Sequence, residues 1–389
     1  VMLDAERCVL CARCTRFTRE ITHTHELGIF NRGNHSEIDV APGKTLDNNY
    51  SLNTVDICPV GALTSRDFRF RKRVWWLETT DSVCPGCATG CNMTIHHNEG
   101  TAYRFTPREN LDVNDYWMCD HGRLLYKGIA TDARLQAPTV GRGDERTTTS
   151  WERAYRRVGE LASVHALAFV GSPHATLEEL YALGRLCELV GGEWIGARVA
   201  GSETDVDDGI LMSADRTPNG EAVRRLQAGE FTADALKTSG DGKVLVVFEN
   251  DLAALAGEDA LEACAAVVVI GTDASGTTER AEVVLPGLKY AEKIGTFVNK
   301  DGRAQALHPA FPGPVEARDP IRIVKELAEV LGQSLTWEDA DAVRAEIAAT
   351  VDGFGALAAG IGPKGVALDG TPDATDPVGG SAGGEEAQA

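Results

Sequence analysis

The sequence predicts two small α+β modules built around cysteines, followed by a larger α/β domain with a parallel sheet. Eight of the ten cysteines fall into two groups of four within the first third of the chain. From about residue 131 onward, apolar strand-like runs alternate with helical stretches, which is typical of a parallel sheet covered by helices. The length of 389 residues is enough for two or three domains with cores of their own.

The two cysteine groups share one spacing, in which three thiols lie within a short loop and a fourth is remote. The groups are Cys8, Cys11, Cys14 and Cys58, and Cys84, Cys87, Cys91 and Cys119. A loop that supplies three ligands and a distant segment that supplies the fourth are typical of a cubane [4Fe–4S] cluster. Pro59 directly after Cys58 also accompanies the last ligand of many such sites. Two clusters in one chain predict electron transfer.

Other uses of these cysteines fit the spacing less well. Structural zinc also binds four thiolates, but its ligands usually come as two pairs on two knuckles. Disulfides are disfavoured because cysteines so close in sequence rarely reach bridging geometry, and the chain is larger than scaffolds that depend on them. The remaining Cys187 and Cys264 lie in apolar stretches and are predicted to be small buried side chains.

The fourth ligand of the first cluster has two candidates. In compact two-cluster ferredoxins, the next cysteine after a three-residue gap binds the other cluster, but that position here is Thr18. The ligand must therefore be Cys58 or Cys119. Pairing each triplet with its nearest downstream cysteine closes the shorter loops, and the swapped pairing stays open.

Four regions are predicted along the chain. Residues 1–72 are the first cluster segment, 73–130 the second cluster module, 131–365 the α/β domain and 366–389 a disordered tail rich in Gly, Ala, Pro and acidic residues. Helices are predicted at Arg13–Thr22, at Leu177–Val190 and near Glu258–Cys264. Strands are predicted at Val74–Thr79, Ala166–Gly171, Val244–Glu249, Ala266–Gly271 and Val283–Pro286.

Charge and motifs exclude several functions. The net charge is −20, and residues 151–389 hold 39 of the acidic side chains against 20 basic ones, which disfavours nucleic-acid binding. No apolar run approaches the roughly 20 residues that cross a bilayer. Neither a G-x-G-x-x-G turn nor a Walker A motif is present, so NADH and ATP are not expected to bind this chain. Because it begins at Val1, we expect it to be part of a longer protein.

A basic aromatic stretch, Arg69-Phe70-Arg71-Lys72-Arg73-Val74-Trp75-Trp76, joins the two cysteine modules. It has two interpretations, a contact surface for a partner subunit or an edge strand with one charged face. The edge strand is favoured because exposed strand edges often carry Lys and Arg. The histidines at positions 23, 25, 96 and 97 are predicted to lie at the surface or near the clusters, since eight thiols already supply the ligands.

Four runs of sequence carry a family resemblance. CVLCARCTRF with DICPVGALTS resembles the tetranuclear-cluster segment of the large iron–sulfur subunit of respiratory complex I, the G subunit of bacterial NADH:quinone oxidoreductase. SVCPGCATGCN followed by WMCDHGRLLY resembles the extra cluster module that opens the molybdopterin-oxidoreductase-like part of that subunit in some bacteria. TSWERAYRRVGELA and AEVVLPGLKYAEKIGTFVNKDGRAQ are similar to later pterin-family signatures, so the resemblance covers most of residues 1–310.

The resemblance implies an electron-transfer subunit in the hydrophilic arm of complex I, peripheral on the cytoplasmic side of the bacterial inner membrane. Its partners would be the flavin- and NADH-binding subunit and the other subunits of that arm. Two [4Fe–4S] clusters are implied, the first on the path from NADH and flavin toward quinone and the second off it. No catalytic acid, base or nucleophile is expected in this chain. The α/β domain would be a degenerate, Rossmann-like version of the molybdopterin-oxidoreductase fold.

Two departures from the family pattern matter. Family members carry a [2Fe–2S] domain and a further [4Fe–4S] site with one histidine ligand ahead of the first group, so both are expected only in a missing N-terminal part. The Lys-Gly-Arg of molybdenum and tungsten members is replaced by Asp120-His121-Gly122-Arg123. The chain is also too short for a full pterin cradle, so no molybdopterin is expected. The alternatives are a molybdenum or tungsten formate dehydrogenase, a diaphorase subunit of an NAD-linked hydrogenase and a structural zinc protein.

Overall fold

The first cysteine module consists of short helices and two-stranded sheets joined by long loops. The computed structural model describes residues 1–197 and 207–369 of the chain. Elements of the first module are β1 (Met2–Leu3), α1 (Arg13–Glu20), β2 (Leu27–Phe30), β3 (Glu37–Val40), α2 (Asn53–Asp56) and β4 (Leu63–Thr64). β1 pairs with β4 and β2 with β3, both antiparallel. The β1–β4 pair brings the two ends of this module side by side.

The second module is a three-stranded antiparallel sheet with one short helix. Its elements are β5 (Glu78–Val83), β6 (Asn92–Asn98), β7 (Thr101–Pro107) and α3 (Asp120–Leu124). Glu99 and Gly100, with φ of 50° and 76°, form the tight turn between β6 and β7, as two-residue hairpin loops with left-handed backbone do. The loop between β5 and β6 carries the second cysteine triplet.

The strand predicted at Val74–Thr79 is wrong over its first part. Val74–Trp76 forms a 3₁₀ turn, and β5 begins only at Glu78. Glu78 pairs with His97, and β6 ends one residue further on, at Asn98. The preceding residues therefore lie beyond the end of the strand that pairs with β5.

The α/β domain contains the remaining elements. They are β8 (Thr139–Val140), β9 (Thr147–Thr148), α4 (Trp151–Ala162), β10 (Leu167–Val170), α5 (Leu177–Leu189), β11 (Glu193–Gly196), α6 (Gly220–Arg225), α7 (Ala233–Ser239), β12 (Val244–Phe248), α8 (Leu252–Ala256), α9 (Glu258–Glu262), β13 (Ala266–Gly271), α10 (Gly276–Arg280), β14 (Val283–Pro286), β15 (Gly295–Val298), β16 (Arg303–Leu307), α11 (Pro320–Val330), α12 (Ala340–Thr350) and β17 (Val366–Ala367). The helices and strands predicted here are found within one or two residues of their expected bounds.

Five parallel strands form most of a seven-stranded sheet. They lie in the order β11-β10-β12-β13-β14, and β8 and β9 extend the sheet antiparallel beyond β14. Numbered by appearance, the parallel strands run 2-1-3-4-5, which is the doubly wound order of flavodoxin-like sheets. The parallel sheet agrees with the sequence prediction, whereas this order gives no support to the Rossmann-like detail.

Side chains of the parallel strands alternate between two cores. Phe169, Val246 and Val268 face the core formed with α4, α5, α11 and α12. Leu245 and Val267, one position away, face the core formed with α7, α8 and α9. Burial on both faces explains why these strands read as continuous apolar runs. Each such side chain, fully buried, contributes about 1.5–3 kcal/mol to the free energy of unfolding.

A β-strand continues past the boundary predicted for the tail. Val366 and Ala367 pair with Ala304 and Arg303 of β16, and Leu368 is buried. The rest of the predicted tail, from residue 370, lies outside the described residues. Within the described part of the chain, no helix has both the length and the apolar character needed to cross a bilayer.

Candidate metal centres

The first cysteine group surrounds one small apolar pocket. Cys8 and Cys11 lie in the loop before α1, Cys14 lies in its first turn, and Cys58 follows α2. Pairing of β1 with β4 brings the Cys58 loop beside the other three. Ala12 has a left-handed φ of 60°, which is uncommon outside glycine and bends the loop tightly between the second and third cysteines.

Backbone N–H groups point at the sulfurs of this group. The N–H of Leu10 donates to Cys8 Sγ and that of Leu63 donates to Cys58 Sγ, each at 3.5 Å. Burial acts to raise the pKa of Cys58, but four N–H groups outweigh it and the pKa is lowered. These groups belong to Leu63, Val60, Ala62 and Gly61. Such N–H donors stabilise the thiolate, which is the form that binds metal.

The second cysteine group is fully enclosed. Cys84, Cys87 and Cys91 come from the β5–β6 loop, Cys119 is the N-cap of α3, and all four are buried. The N–H of Gly122 donates to Cys119 Sγ at 3.4 Å. The loop is closed by the N–H of Cys84, which donates to the carbonyl of Cys91 at 2.9 Å.

The electrostatics of the second group favour a bound cation or cluster. Burial raises the pKa of Cys84 well above its ordinary value, and the charges of Cys119 and Cys87 raise it further. Cys91 behaves in the same way, with burial first and the other three thiols next. Four buried thiols close enough to repel as thiolates need positive charge from a metal to ionise together.

Neither group has the geometry of a single-ion site. Among residues 1–197 and 207–369, no set of three or more His, Cys, Asp or Glu side chains is arranged to hold one metal ion. Four thiolates around zinc would each lie about 2.3 Å from the same ion. In a cubane cluster the four thiolates instead bind four different irons.

The structure places every predicted ligand in one of two groups. Cys58 lies with the first triplet and Cys119 with the second, which is the local rather than the swapped arrangement. Of the histidines predicted at the surface or near the clusters, His23 and His25 are exposed, and His96 and His97 bond to hydroxyls on the second module's sheet. The other two cysteines, at positions 187 and 264, are buried as predicted.

A buried polar network joins the two modules between their remote cysteines. Arg123 on α3 donates to Asn53 Oδ1 and pairs with Asp56 Oδ2, each at 2.6 Å. Asp120 accepts from Ser51 Oγ at 2.6 Å and from the N–H of Leu52 at 2.9 Å. The residues that replace Lys-Gly-Arg thus fix the α2 segment, which leads into Cys58, against the helix that follows Cys119.

Gly122→Ala is expected to disturb the second centre alone. A Cβ at this position would lie 2.9 Å from Cys84 Sγ and 3.0 Å from Met118 Cε, and a sulfur bound to iron cannot move aside. Iron per chain should fall from about eight toward about four. The matched control is Gly128→Ala, whose Cβ would meet no atom of the described chain within 4 Å. Equal iron contents in the two variants would contradict this description of the site.

A cavity of about 320 Å³ lies between the second module and the carboxyl ends of β10, β12 and β13. Ligands of doubly wound sheets bind at this edge. Here it is occupied by ion pairs of the chain itself. Lys293 Nζ lies 2.6 Å from Glu179 and 3.6 Å from Glu249, and Lys289 Nζ lies 2.8 Å from Asp273.

The sequence alone assigned no function to Lys289 or Lys293. The one feature that could have drawn attention to them is their spacing of four residues, close to a strand-like apolar run. A lysine placed in the interior needs a carboxylate partner. The partners of Lys293, Glu179 on α5 and Glu249 after β12, are distant in sequence and could not be identified from it.

Glu249 should make stability depend on pH. Burial raises its pKa to about 7, with Lys293 lowering it and Glu179 raising it. Between about pH 4.5 and 7, the folded chain holds a proton that the unfolded chain has released, so stability falls as pH rises across this range and levels off above about pH 7. Glu249→Gln should flatten this fall by about 2–3 kcal/mol, measured as urea unfolding at pH 5 and pH 8. The same change in unfolding free energy between pH 5 and pH 8 in the variant and the parent would contradict the raised pKa of Glu249.

Three family models match the chain in the order of its modules. The NADH-quinone oxidoreductase subunit 3, ferredoxin-like domain matches residues 1–64, and the molybdopterin oxidoreductase Fe4S4 domain matches residues 77–130. The molybdopterin oxidoreductase model matches residues 217–330. Each of the first two ranges contains one complete cysteine group. The chain therefore combines a ferredoxin-like domain, an Fe4S4 domain and a molybdopterin-oxidoreductase-like domain, which is a domain set of iron–sulfur proteins.

Three proteins with similar sequences indicate more closely which proteins this chain is related to. The G subunit of NADH-quinone oxidoreductase from Streptomyces coelicolor is 29% identical over 80% of this chain and 36% of its own length. The mitochondrial NADH dehydrogenase [ubiquinone] iron-sulfur protein 1 from Solanum tuberosum is 26% identical over 88% of this chain and 63% of its own. The NADH-ubiquinone oxidoreductase 75 kDa subunit of Reclinomonas americana is 37% identical over 38% of this chain and 21% of its own.

The chain is a homologue of the G and 75 kDa iron–sulfur subunits of these oxidoreductases, as the sequence predicted. It spans about a third of the Streptomyces relative and just under two thirds of the potato relative. These relatives do not favour the formate dehydrogenase alternative. Among solved structures, acetylene hydratase from Pelobacter acetylenicus matches with a TM-score of 0.46 and 10% identity, over 68% of this chain and 71% of that one.

Proposed function

We propose that this chain carries electrons in the hydrophilic arm of an NADH–quinone oxidoreductase, on two [4Fe–4S] clusters. The supporting observation is that four thiols surround one pocket and four others are buried close together, each group within a range that matches a ferredoxin-like or Fe4S4 family model. In this proposal the first cluster is bound by Cys8, Cys11, Cys14 and Cys58. The second is bound by Cys84, Cys87, Cys91 and Cys119.

The two clusters would have different roles because their surroundings differ. Cys11 is exposed and Cys8 is half-buried, whereas all four thiols of the second group are buried. Electron transfer to a cofactor in another subunit needs a cluster near the surface. We therefore assign the first cluster to the path from NADH and flavin toward quinone, and the second to a position off that path. Burial and the N–H groups that face the sulfurs would set their different potentials.

The remaining parts of the proposal rest on the relatives. The partners would be the flavin- and NADH-binding subunit and other subunits of the same arm, on the cytoplasmic side of a bacterial inner membrane. The α/β domain would be a scaffold of degenerate molybdopterin-oxidoreductase type without a pterin. The cavity at its sheet edge supports this assignment, because Lys289 and Lys293 are already paired with carboxylates of the chain.

Rapid-freeze EPR on the complex isolated from its source cells tests the function. After mixing with NADH, the cubane signal of the first cluster should appear within milliseconds, and the second should appear only with dithionite. A complex whose flavin is reduced by NADH while neither cubane signal responds would refute the proposed path. Molybdenum or tungsten in the same sample, with formate-dependent viologen reduction, would support the formate dehydrogenase alternative.

A further inference from the structure

Three large aromatic side chains are exposed on the segment between the two modules. We call residues 66–76 the basic aromatic segment, which is the basic aromatic stretch of the sequence analysis extended by three residues at its start. The fractional exposure is 91% for Phe70, 73% for Trp75 and 59% for Trp76. The edge strand favoured from the sequence is wrong here, because the chain forms the 3₁₀ turn at Val74–Trp76 and its aromatic rings project outward. Clustered exposed aromatics beside arginine mark protein contact surfaces.

Contacts with the second module hold this segment in place. Asp67 pairs with Lys127 at 2.5 Å, and the Arg104 guanidinium lies 4.4 Å from the centre of the Phe68 ring. Phe70 adopts a left-handed φ of 68°, which is unfavourable for a bulky side chain. A segment already fixed in place loses little entropy when a partner binds.

A groove of about 450 Å³ runs between the two modules beside the basic aromatic segment. Its apolar wall includes Phe68, Val74 and Phe105. Six cationic side chains line it against the two carboxylates Asp56 and Asp67, and they are Arg7, Arg69, Lys72, Arg73, Arg104 and Arg123. Arg123 is paired with Asp56, and Asp4 lies within 4.0 Å of both Arg7 and Arg69. Lys72, Arg73 and Arg104 therefore supply most of the remaining positive charge of a groove that is otherwise apolar.

Arg104, which lines the groove, has a donor without an acceptor in the described part of the chain. Its Nε–H is buried and finds no acceptor among residues 1–197 and 207–369. Buried donors nearly always have an acceptor, so the unsatisfied Nε–H of Arg104 needs an explanation. A carboxylate is the group that guanidinium recognises best, by a two-point hydrogen-bonded contact.

We propose that this groove and the basic aromatic segment form the docking surface for a partner subunit, through a segment that carries Asp or Glu beside apolar side chains. Carboxylates of that segment pair with the arginines of the groove, and its apolar side chains cover Phe70, Trp75 and Trp76. The identity of the partner as a subunit of the same oxidoreductase rests on the proposed function. The concave, three-dimensional arrangement of charges favours a protein over a membrane surface.

Oxidative footprinting tests whether the surface is covered. Trp75 and Trp76 should be oxidised at least about fivefold less in the complex from source cells than in the isolated chain, because interface cores exclude water. Tyr116, which is 53% exposed, is the internal control and should change less. Equal oxidation in both samples overturns the docking surface and leaves the proposed function standing. Absence of the chain from the NADH-oxidising complex overturns both.

Footprinting of the isolated chain distinguishes a partner subunit from other molecules that could cover this surface. If Trp75 and Trp76 are already protected there, a second copy or the chain's own residues cover the surface, and the proposal fails. Protection by phosphatidylglycerol vesicles, with full reactivity in the complex, would assign the surface to anionic lipid and also overturn it. Full reactivity in the isolated chain with protection in the complex supports a partner subunit.

Charge reversal tests the chemistry of the partner. Arg71 and Arg73 are exposed, so Arg71→Glu with Arg73→Glu should leave the clusters intact. Recovery of this variant in the complex should fall at least about tenfold, because like charges then face each other across the interface. Arg153→Glu with Lys237→Glu, at exposed positions on helices of the α/β domain, is the matched control. Normal assembly of the first variant, with parental iron content, overturns an acidic partner.

Discussion

Cys58→Ala is expected to remove the first cluster and leave the second. Cys58 shares a pocket with Cys8, Cys11 and Cys14, so its loss takes the fourth ligand from that centre only. Iron should fall from about eight toward about four per chain, with one cubane EPR signal remaining. In the assembled complex, NADH-driven quinone reduction should be lost, because the first cluster is the one assigned to the electron path.

Two matched variants complete this test. Cys119→Ala should remove the other signal and leave most of the quinone reductase activity. Cys187→Ala, at a buried cysteine outside both groups, should keep both signals. Loss of the second signal in Cys58→Ala would instead establish the swapped pairing of the remote cysteines.

Lys293→Met is expected to destabilise the α/β domain by about 3–5 kcal/mol. The side chain is 3% exposed and lies 2.6 Å from a Glu179 carboxylate that is itself 2% exposed. Removing the cation leaves Glu179 and Glu249 buried without compensation. The Glu179 carboxylate cannot rotate toward solvent, because its other oxygen accepts a hydrogen bond from the N–H of Thr176 at the start of α5. Unfolding in urea, followed by tryptophan fluorescence, measures the loss.

Lys300→Met is the control for this variant. Lys300 is 49% exposed and pairs with its neighbour Asp301, so its loss should change stability by about 0.5 kcal/mol or less. Adding Glu249→Gln to Lys293→Met should recover part of the lost stability at pH 8, because the neutral amide does not have to take up a proton to remain buried without Lys293. Equal effects of the two lysine variants would contradict a buried ion-pair network.

The parallel strands could be predicted because burial on both faces leaves a continuous apolar run in the sequence. Val244–Phe248 and Ala266–Gly271 are such runs, and their predicted bounds agree with the structure to within one residue. Val74–Trp76 is also apolar but has no partner strand, because β6 ends at Asn98. Pairing of this kind depends on a residue 20 or more positions away, which local composition does not encode.

The sequence groups three cysteines of each set directly, whereas the place of the fourth depends on the fold. Three ligands of each group lie within one loop, so their spacing alone indicates a shared centre. The fourth ligand depends on tertiary contacts, namely the β1–β4 pair and the bond from Ser51 to Asp120. The same limit applies to the ion pairs of Lys293, whose partners lie on different elements of the α/β domain.

The existence of two cubane clusters is the central claim, and chemical analysis tests it directly. Protein purified without oxygen should contain about eight irons and about eight acid-labile sulfides per chain, with two overlapping cubane EPR signals after dithionite reduction. Zinc in place of iron, without sulfide and without an EPR signal, would make both thiol groups structural and contradict the electron-transfer function.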